Sequence, residues 1–417
     1  MRRYESYKDS GVEWLGEVPS HWNLIPNKYI FKLRKNVVGK RSNEYDLLSL
    51  SLKGVIKRDM KNPEGKFPAE FDTYQEVKEG DFIFCLFDVE ETPRTVGLSS
   101  YRGMITGAYT IFETNNVDKK FIYYFYLNLD SDKRLKPLYK GLRNTISKET
   151  FFSFNTFIPP LSEQQKIAQF LDDKTVKIDQ AVDLAEKQIA LLKEHKQILI
   201  QNAVTRGLNP DVPLKDSGVE WIGQVPEHWE VKKMKFLFKD TSIKNKPDAT
   251  LLSVTQNRGV IPRNWLEERT VMPSGNLETF KFIQKDDFAI SLRSFEGGLE
   301  ICHHDGIISP AYTVLKYDKK FLNNGYYKYL FKCQKFISEM QTSIVGIREG
   351  KNISYEELKY SFLPIPQIIE QQKIAQFLDE KTAKIDQAIA LKTAHIEKLK
   401  EYKSVLINDV VTGKVRV

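Results

Sequence analysis

Several clusters carry residue types that chemistry uses, and each stops short of a catalytic pattern. Cys302-His303-His304, with Cys333 downstream, offers thiol and imidazole ligands. No second closely spaced ligand pair completes a zinc site, so a buried cysteine beside two loop histidines is the expected reading. Gly346-Ile347-Arg348-Glu349-Gly350-Lys351-Asn352 is superficially like a phosphate loop. It has one residue too few between its glycines, and Asn where Ser or Thr is required. Pro159-Pro160 is followed by Leu161, whereas a base-flipping adenine methylase needs an aromatic residue after its proline pair. No HExxH, GxSxG or nuclease carboxylate set is present, which points away from an enzyme, and no metal site is expected.

Cations and carboxamides remain, the side chains that grip phosphates and read base edges. Lys28, Lys32, Arg34, Lys35, Lys40 and Arg41 crowd one stretch, and Lys232, Lys233, Lys235, Lys239, Lys244 and Lys246 crowd another. The net charge of +8 is spread thinly, so each run is either a solvated surface or a phosphate-tracking edge. Further candidates sit in polar, glycine-containing loops: Lys140, Arg143 and Asn144, then Arg348, Lys351 and Asn352. Arg58, Arg94, Arg258, Arg263, Asn264 and Arg293 lie where the two halves of the chain differ and are the candidates for base choice.

The elements that must position these residues come in two copies. KDSGVEWLGEVPSHW, from Lys8 to Trp22, returns as KDSGVEWIGQVPEHW, from Lys215 to Trp229, 207 positions on. EQQKIAQFLDDKTVKIDQAV, from Glu163, returns as EQQKIAQFLDEKTAKIDQAI, from Glu370, at the same displacement. Between these anchors the likeness fades. Leu47-Leu48-Ser49 matches Leu251-Leu252-Ser253, Gly54-Val55-Ile56 matches Gly259-Val260-Ile261, and Ala108-Tyr109-Thr110 matches Ala311-Tyr312-Thr313. Those displacements are 204, 205 and 203, so small insertions have accumulated inside. The chain is a tandem repeat with a shared frame and a diverged middle.

Each copy begins with a mixed segment, 1–157 and 208–364. Runs such as Asp81–Phe87 and Thr250–Val254 suggest strands, and Phe121–Leu129 suggests a helix. Each copy ends in a segment of helical period, 158–207 and 365–417. Ile167, Leu171, Ile178, Val182, Ala185, Ile189, Leu192, Leu199 and Ala203 form a heptad seam. Ile374, Leu378, Ile385, Ile389, Ile396, Leu399, Leu406 and Val410 repeat it, with Lys392 standing where Ala185 stands in the first copy. Ser162 and Gln165 suggest a capping box at the first helix, and Gly207 closes it. Each helix spans about 42 residues, roughly 63 Å. The expected fold class is α+β: two similar globules separated by two long antiparallel helices that form a coiled coil, with a pseudo-twofold internal repeat. Trp14, Trp22, Trp221 and Trp229 lie in the unvarying frame and are assigned to packing where globule meets helix end.

The doubled SGVEW-(L/I)-G-x-VP-x-HW motif and the doubled EQQKIAQFLD motif resemble those of the specificity subunit of type I restriction–modification enzymes, over essentially the whole chain. The resemblance implies a non-catalytic reader of double-stranded DNA in which each globule recognises half of a bipartite site. It implies a helical spacer that fixes the gap and docks two methyltransferase subunits, with restriction-motor subunits able to join. S-adenosylmethionine, ATP and magnesium would belong to those partners, with no cofactor on this chain. The loops shared by both copies would grip phosphates, and base choice would fall where the copies differ. The other reading is a coiled-coil scaffold whose globules bind proteins; a fused nuclease or methylase is disfavoured by the missing motifs. Three cysteines in 417 residues, no apolar run of the ~18 residues a membrane span needs and no apolar core in MRRYESYKDS lead to an expected cytoplasmic location.

Overall fold

The computed structural model describes residues 2–59, 70–139, 144–266, 276–291, 294–345 and 352–417, the side chains of Val345 and Asn352 excepted. The chain divides into two compact units. One holds residues 1–185 with 394–417, the other 186–393. Each unit therefore contains a globule and a segment of both long helices.

In the first unit, strands β1 (Phe31–Arg34), β2 (Leu48–Ser51), β3 (Gly54–Lys57), β4 (Phe82–Phe84), β5 (Val96–Leu98) and β6 (Thr110–Thr114) precede helix α1 (Lys119–Ser131) and the long helix α2 (Leu161–Arg206). The order β1-β6-β4-β5 makes an antiparallel sheet, with Phe112 of β6 opposite Leu33 and Phe82. Burial of an aromatic set drives its closure on α1. The Phe31 ring lies 5.6 Å from those of Phe82, Phe84 and Phe112, and 5.4 Å from that of Tyr126 on α1. Strands β2 and β3 form a separate hairpin. Its base rests on a smaller core of Leu48, Val55, Val77, Ile83, Ile105 and Ile111.

The second unit repeats this plan with different residues. Strands β7 (Phe238–Thr241), β8 (Leu252–Thr255), β9 (Gly259–Pro262), β10 (Phe288–Ile290), β11 (Glu300–Ile301) and β12 (Thr313–Tyr317) are followed by α3 (Asn324–Leu330), α4 (Gln334–Gln341) and the long helix α5 (Ile368–Val411). The sheet order β7-β12-β10-β11 reproduces that of the first unit. Phe238 takes the place of Phe31, against Phe288, Tyr317, Tyr327 and Phe331. The β8–β9 hairpin rests on its own small core, which includes Leu252, Val260, Ile283 and Val314.

Within each unit the two long-helix segments run antiparallel. In the first, Lys403 Nζ meets Asp179 at 2.6 Å, while Gly413, just past α5, approaches Trp22, which is bonded to Glu163. In the second, Lys392 Nζ donates to Gln188 Oε1 at 2.6 Å and Lys196 Nζ to Asp386 at 2.6 Å, while Gly207 lies against Glu370. Ile167, Leu171, Ile178, Leu406 and Val410 are buried in the first unit, with Val182 and Leu399 packed at the edge. Ile374, Leu378 and Ala203 are buried in the second, with Leu199 at the edge. Ile396 is also buried, whereas Ile189, Leu192, Ile385 and Ile389 are half-buried.

The capping box at Ser162 is corrected by the structure. Helix α2 is already under way at Leu161, and the N–H groups of Glu163 and Gln164 both donate to the carbonyl of Pro160. The following glutamine ties the helix start to the globule instead. Gln164 accepts from the Asp118 N–H and donates to the Pro159 carbonyl, each at 2.8 Å. Gln371 repeats this, accepting from the Asn323 N–H and donating to the Pro366 carbonyl.

Candidate nucleic-acid interface

The duplicated frame is held by one carboxylate per copy. Glu163 Oε1 accepts from Trp22 Nε1 at 3.1 Å and from the Tyr4 hydroxyl at 2.5 Å, and its Oε2 meets His21 Nε2 at 2.8 Å. Glu370 meets Trp229 Nε1 at 2.9 Å and His228 Nε2 at 3.0 Å. The tryptophans thus pack and bond at the frame, where stacking bases cannot reach them: Trp22 and Trp229 are at most 1% exposed. Trp221 packs on Phe336, and Trp14 lies under the Arg134 guanidinium at 4.6 Å. A second duplicated contact joins α1 and α3 to the long helices. Tyr124 and Tyr329 donate to Asp172 and Asp379 and meet Thr175 and Thr382.

The sequence candidates separate into several environments. Arg34 is largely enclosed, its guanidinium on both oxygens of Asp81 at 3.0 and 2.8 Å and near Glu76 at 3.6 Å. Burial raises the Asp81 carboxyl above its ordinary range, against the pull of the Lys78 N–H and Arg34. That clamp gives Arg34 a packing role. Lys32 is exposed and paired with Glu113 at 2.8 Å. Lys40 and Arg41 are exposed on a short 3-10 turn, Gly39–Glu44, and Lys239 is exposed on β7. Arg58 is half-buried after β3, and Asn144 adopts a positive φ of 44°. Arg263 and Asn264 follow β9 in a short 3-10 turn, Arg263–Trp265. Lys140, Arg143, Arg293, Arg348 and Lys351 lie outside the described residues, as does the side chain of Asn352.

Arg94 and Arg258 are brought to the hairpins, one in each unit. Arg94 Nη2 donates to the Leu52 carbonyl at the β2–β3 tip, 3.1 Å away. Arg258 belongs to the β8–β9 tip, where its Nη1 reaches the Trp265 carbonyl at 3.4 Å. This second tip, Gln256-Asn257-Arg258, borders a cleft of about 530 Å³ with Ser291 and Tyr312 on its walls. Sequence reasoning had not singled out Gln256 and Asn257. The available signal was the step in displacement from 204 to 205 between the Leu-Leu-Ser and Gly-Val-Ile matches, which places an extra residue at this tip.

Surface features also recur in the frame. Lys28 stands 5.0 Å over the ring of Tyr29, and Lys235 stands 5.0 Å over the ring of Phe236; both rings are exposed, at 66% and 68%. No described helix is long and apolar enough to cross a membrane.

Residues 100–194 match the family model for the type I restriction modification DNA specificity domain. The chain is 24% identical to a Methanocaldococcus jannaschii protein described as the specificity subunit of type I restriction enzyme MjaX, across 99% of this chain and 97% of that one. It is 26% identical to the MjaVIII specificity subunit of the same organism, across 76% and 75%. Two solved structures share the fold at 13% identity. One is a chain from a type I R-M system studied for its assembly and conformational transition, with a TM-score of 0.69 over 95% of this chain and 99% of that one. The other is the HsdS subunit of Thermoanaerobacter tengcongensis, with a TM-score of 0.53 over 95% and 98%. By doubled motif, domain match and full-length similarity, the chain is similar to the specificity subunits of type I restriction–modification enzymes, and it shares their fold.

Proposed function

We propose that this chain is the DNA-reading subunit of a type I restriction–modification assembly and performs no chemistry itself. The first reader spans 1–157 and the second 208–364, with spacer helices at 158–207 and 365–417. Each reader takes one half of an asymmetric bipartite site on double-stranded DNA, and the helix pair sets the gap between the halves. Two methyltransferase subunits dock on the frame and supply S-adenosylmethionine chemistry. A motor subunit with ATP and magnesium completes the restricting form, and the assembly works in the cytoplasm.

One observation carries this reading. The two units keep the same sheet order, the same Trp–Glu clamp and the same exposed Lys–aromatic pair, yet differ at their exposed hairpin tips. A repeated frame suits two copies of one partner, and unlike tips suit unlike base sequences. Identical readers would take a symmetric site. The test is co-expression with the methyltransferase subunit in a host lacking other adenine methylation, followed by methylome sequencing. The expected result is one split, adenine-containing motif with a degenerate gap; contiguous methylation, or none from a competent complex, contradicts it.

A further inference from the structure

The two hairpins share their turn chemistry and differ in their central residues. Ser51 and Thr255 occupy the same position. Each donates its hydroxyl to the carbonyl of the glycine that ends the tip, Gly54 at 3.1 Å and Gly259 at 2.8 Å. Each also accepts the N–H of the cation just before that glycine, Lys53 at 3.2 Å and Arg258 at 3.1 Å. Both glycines hold a positive φ, 91° and 72°. The turn chemistry is therefore common to both units. What differs is Leu52 in the first and Gln256-Asn257 in the second.

Each tip is also held from beneath, and the two units do this with opposite charges on the same two elements. In the first, the helix supplies the acid: Asp130 of α1, 2% exposed, faces Arg94 at 3.6 Å, and Arg94 donates to the Leu52 carbonyl. In the second, the edge strand supplies the acid: Glu300 of β11, also 2% exposed, pairs with Lys332 just past α3. Lys332 Nζ then donates to the Gln256 carbonyl at 2.9 Å. Arg94 sits just before β5, the strand equivalent to β11, so acid and cation have changed places between strand and helix. The same backbone contact is made from unrelated residues. A tip that only needed to be solvated would not require a buried carboxyl to hold the cation that fixes its carbonyl.

We propose that these hairpin tips are the base-reading elements, and that in the second unit the Asn257 carboxamide reads an adenine edge, with Gln256 beside it and Arg258 on the adjacent phosphate. The assignment rests on the DNA-reading function proposed above. An Asn or Gln carboxamide matches the N6/N7 pattern of adenine in the major groove. The Gln256 amide lies 3.4 Å from Glu296. Asn257 is exposed and makes no hydrogen bond among the described residues. Arg258 shares its place with Lys53, and a cation common to both readers serves the feature common to both half-sites, the phosphate backbone.

The experiment uses the full chain in complex with its methyltransferase subunits, read by methylome sequencing and by competition binding to oligonucleotides. Asn257→Ala should cut discrimination at one position of one half-site about 5- to 150-fold, the range expected for a lost bidentate contact, and leave the other half-site unchanged. Arg258→Ala should weaken binding to all sequences alike and reduce the salt slope by about 1. Replacing Leu52-Lys53 by Gln-Asn-Arg is the independent arm, and should change only the other half-site. The tip residues are exposed, so these variants should melt like the parent. A parent that gives a split motif, together with Asn257→Ala, Gln256→Ala/Asn257→Ala and grafted variants that leave it intact, overturns the tip assignment alone. Relaxed specificity from Arg258→Ala with none from Asn257→Ala also overturns it. A competent parent complex without a split motif removes the function and the tip assignment together.

Discussion

Trp22 donates its indole N–H to Glu163 at 3.1 Å across 141 residues of sequence, joining the N-terminal motif to the first turn of the long helix. The same bond recurs between Trp229 and Glu370 at 2.9 Å, again across 141 residues. The two most faithfully repeated motifs of the chain thus fix the angle at which each helix leaves its globule.

Glu163→Ala removes the acceptor from a buried indole and from the Tyr4 hydroxyl. Hydrogen bonds to a charged group contribute about 1.5–3 kcal/mol each, and a stranded buried donor adds to the loss. A destabilisation of about 2 kcal/mol or more is expected in urea unfolding. Trp22→Phe, which leaves Tyr4 and His21 on the carboxylate, should cost its own packing volume but leave the helix start ordered by hydrogen exchange. A change below about 0.5 kcal/mol in Glu163→Ala, the size of an ordinary surface substitution, would contradict the clamp.

Lys392 interrupts the apolar seam and is received by Gln188 at 2.6 Å on the opposing helix. A polar contact in such a seam fixes register at the expense of stability. Gln188→Leu should lower stability by about 1 kcal/mol, because it deprives a half-buried ammonium of its acceptor. Adding Lys392→Leu should recover that loss and exceed the parent. Two independent, additive effects in the double-mutant cycle would show that the residues do not act as a pair.

Glu300 provides the pH signature of the tip support. Burial pushes its carboxyl from the ordinary 4.5 up to about 7, against the opposing pull of Lys332. The folded chain therefore keeps this proton up to about pH 7, while the unfolded chain releases it near 4.5. With more protons bound in the folded state, stability falls as pH rises across that window and is flat above it. Glu300→Gln should remove this component of the slope in urea titrations at pH 5 and pH 7.5. An identical slope in parent and variant would contradict the assignment.

Repetition made much of this fold legible. Two fifteen-residue stretches with three differences announce the frame, and the heptads announce the helices. The aromatic run at Phe121–Leu129 lies inside α1, and the strand signals at Asp81–Phe87 and Thr250–Val254 contain β4 and overlap β8. The interface was far less legible. Arg34 and Lys40 look alike in a basic run, yet one is enclosed by Asp81, 47 residues away, and the other is solvated. The Ser162 cap was misplaced because the preceding prolines already start the helix at Leu161. The exchange of charge between Arg94–Asp130 and Lys332–Glu300 has no local sequence signature, since only the fold brings those partners under a hairpin.

The central claim, that the heads choose sequence while the helix pair sets spacing, is tested most directly by lengthening the pair. Four residues inserted after Gln197 and four after Ile385, which lie close to the Lys196–Asp386 rung, keep the opposing seams matched. They add about 6 Å, nearly two base pairs of rise. Methylome sequencing of the assembled complex should then show both half-sites unchanged and the gap altered by about two base pairs. An unchanged gap, or altered half-sites, would contradict the account.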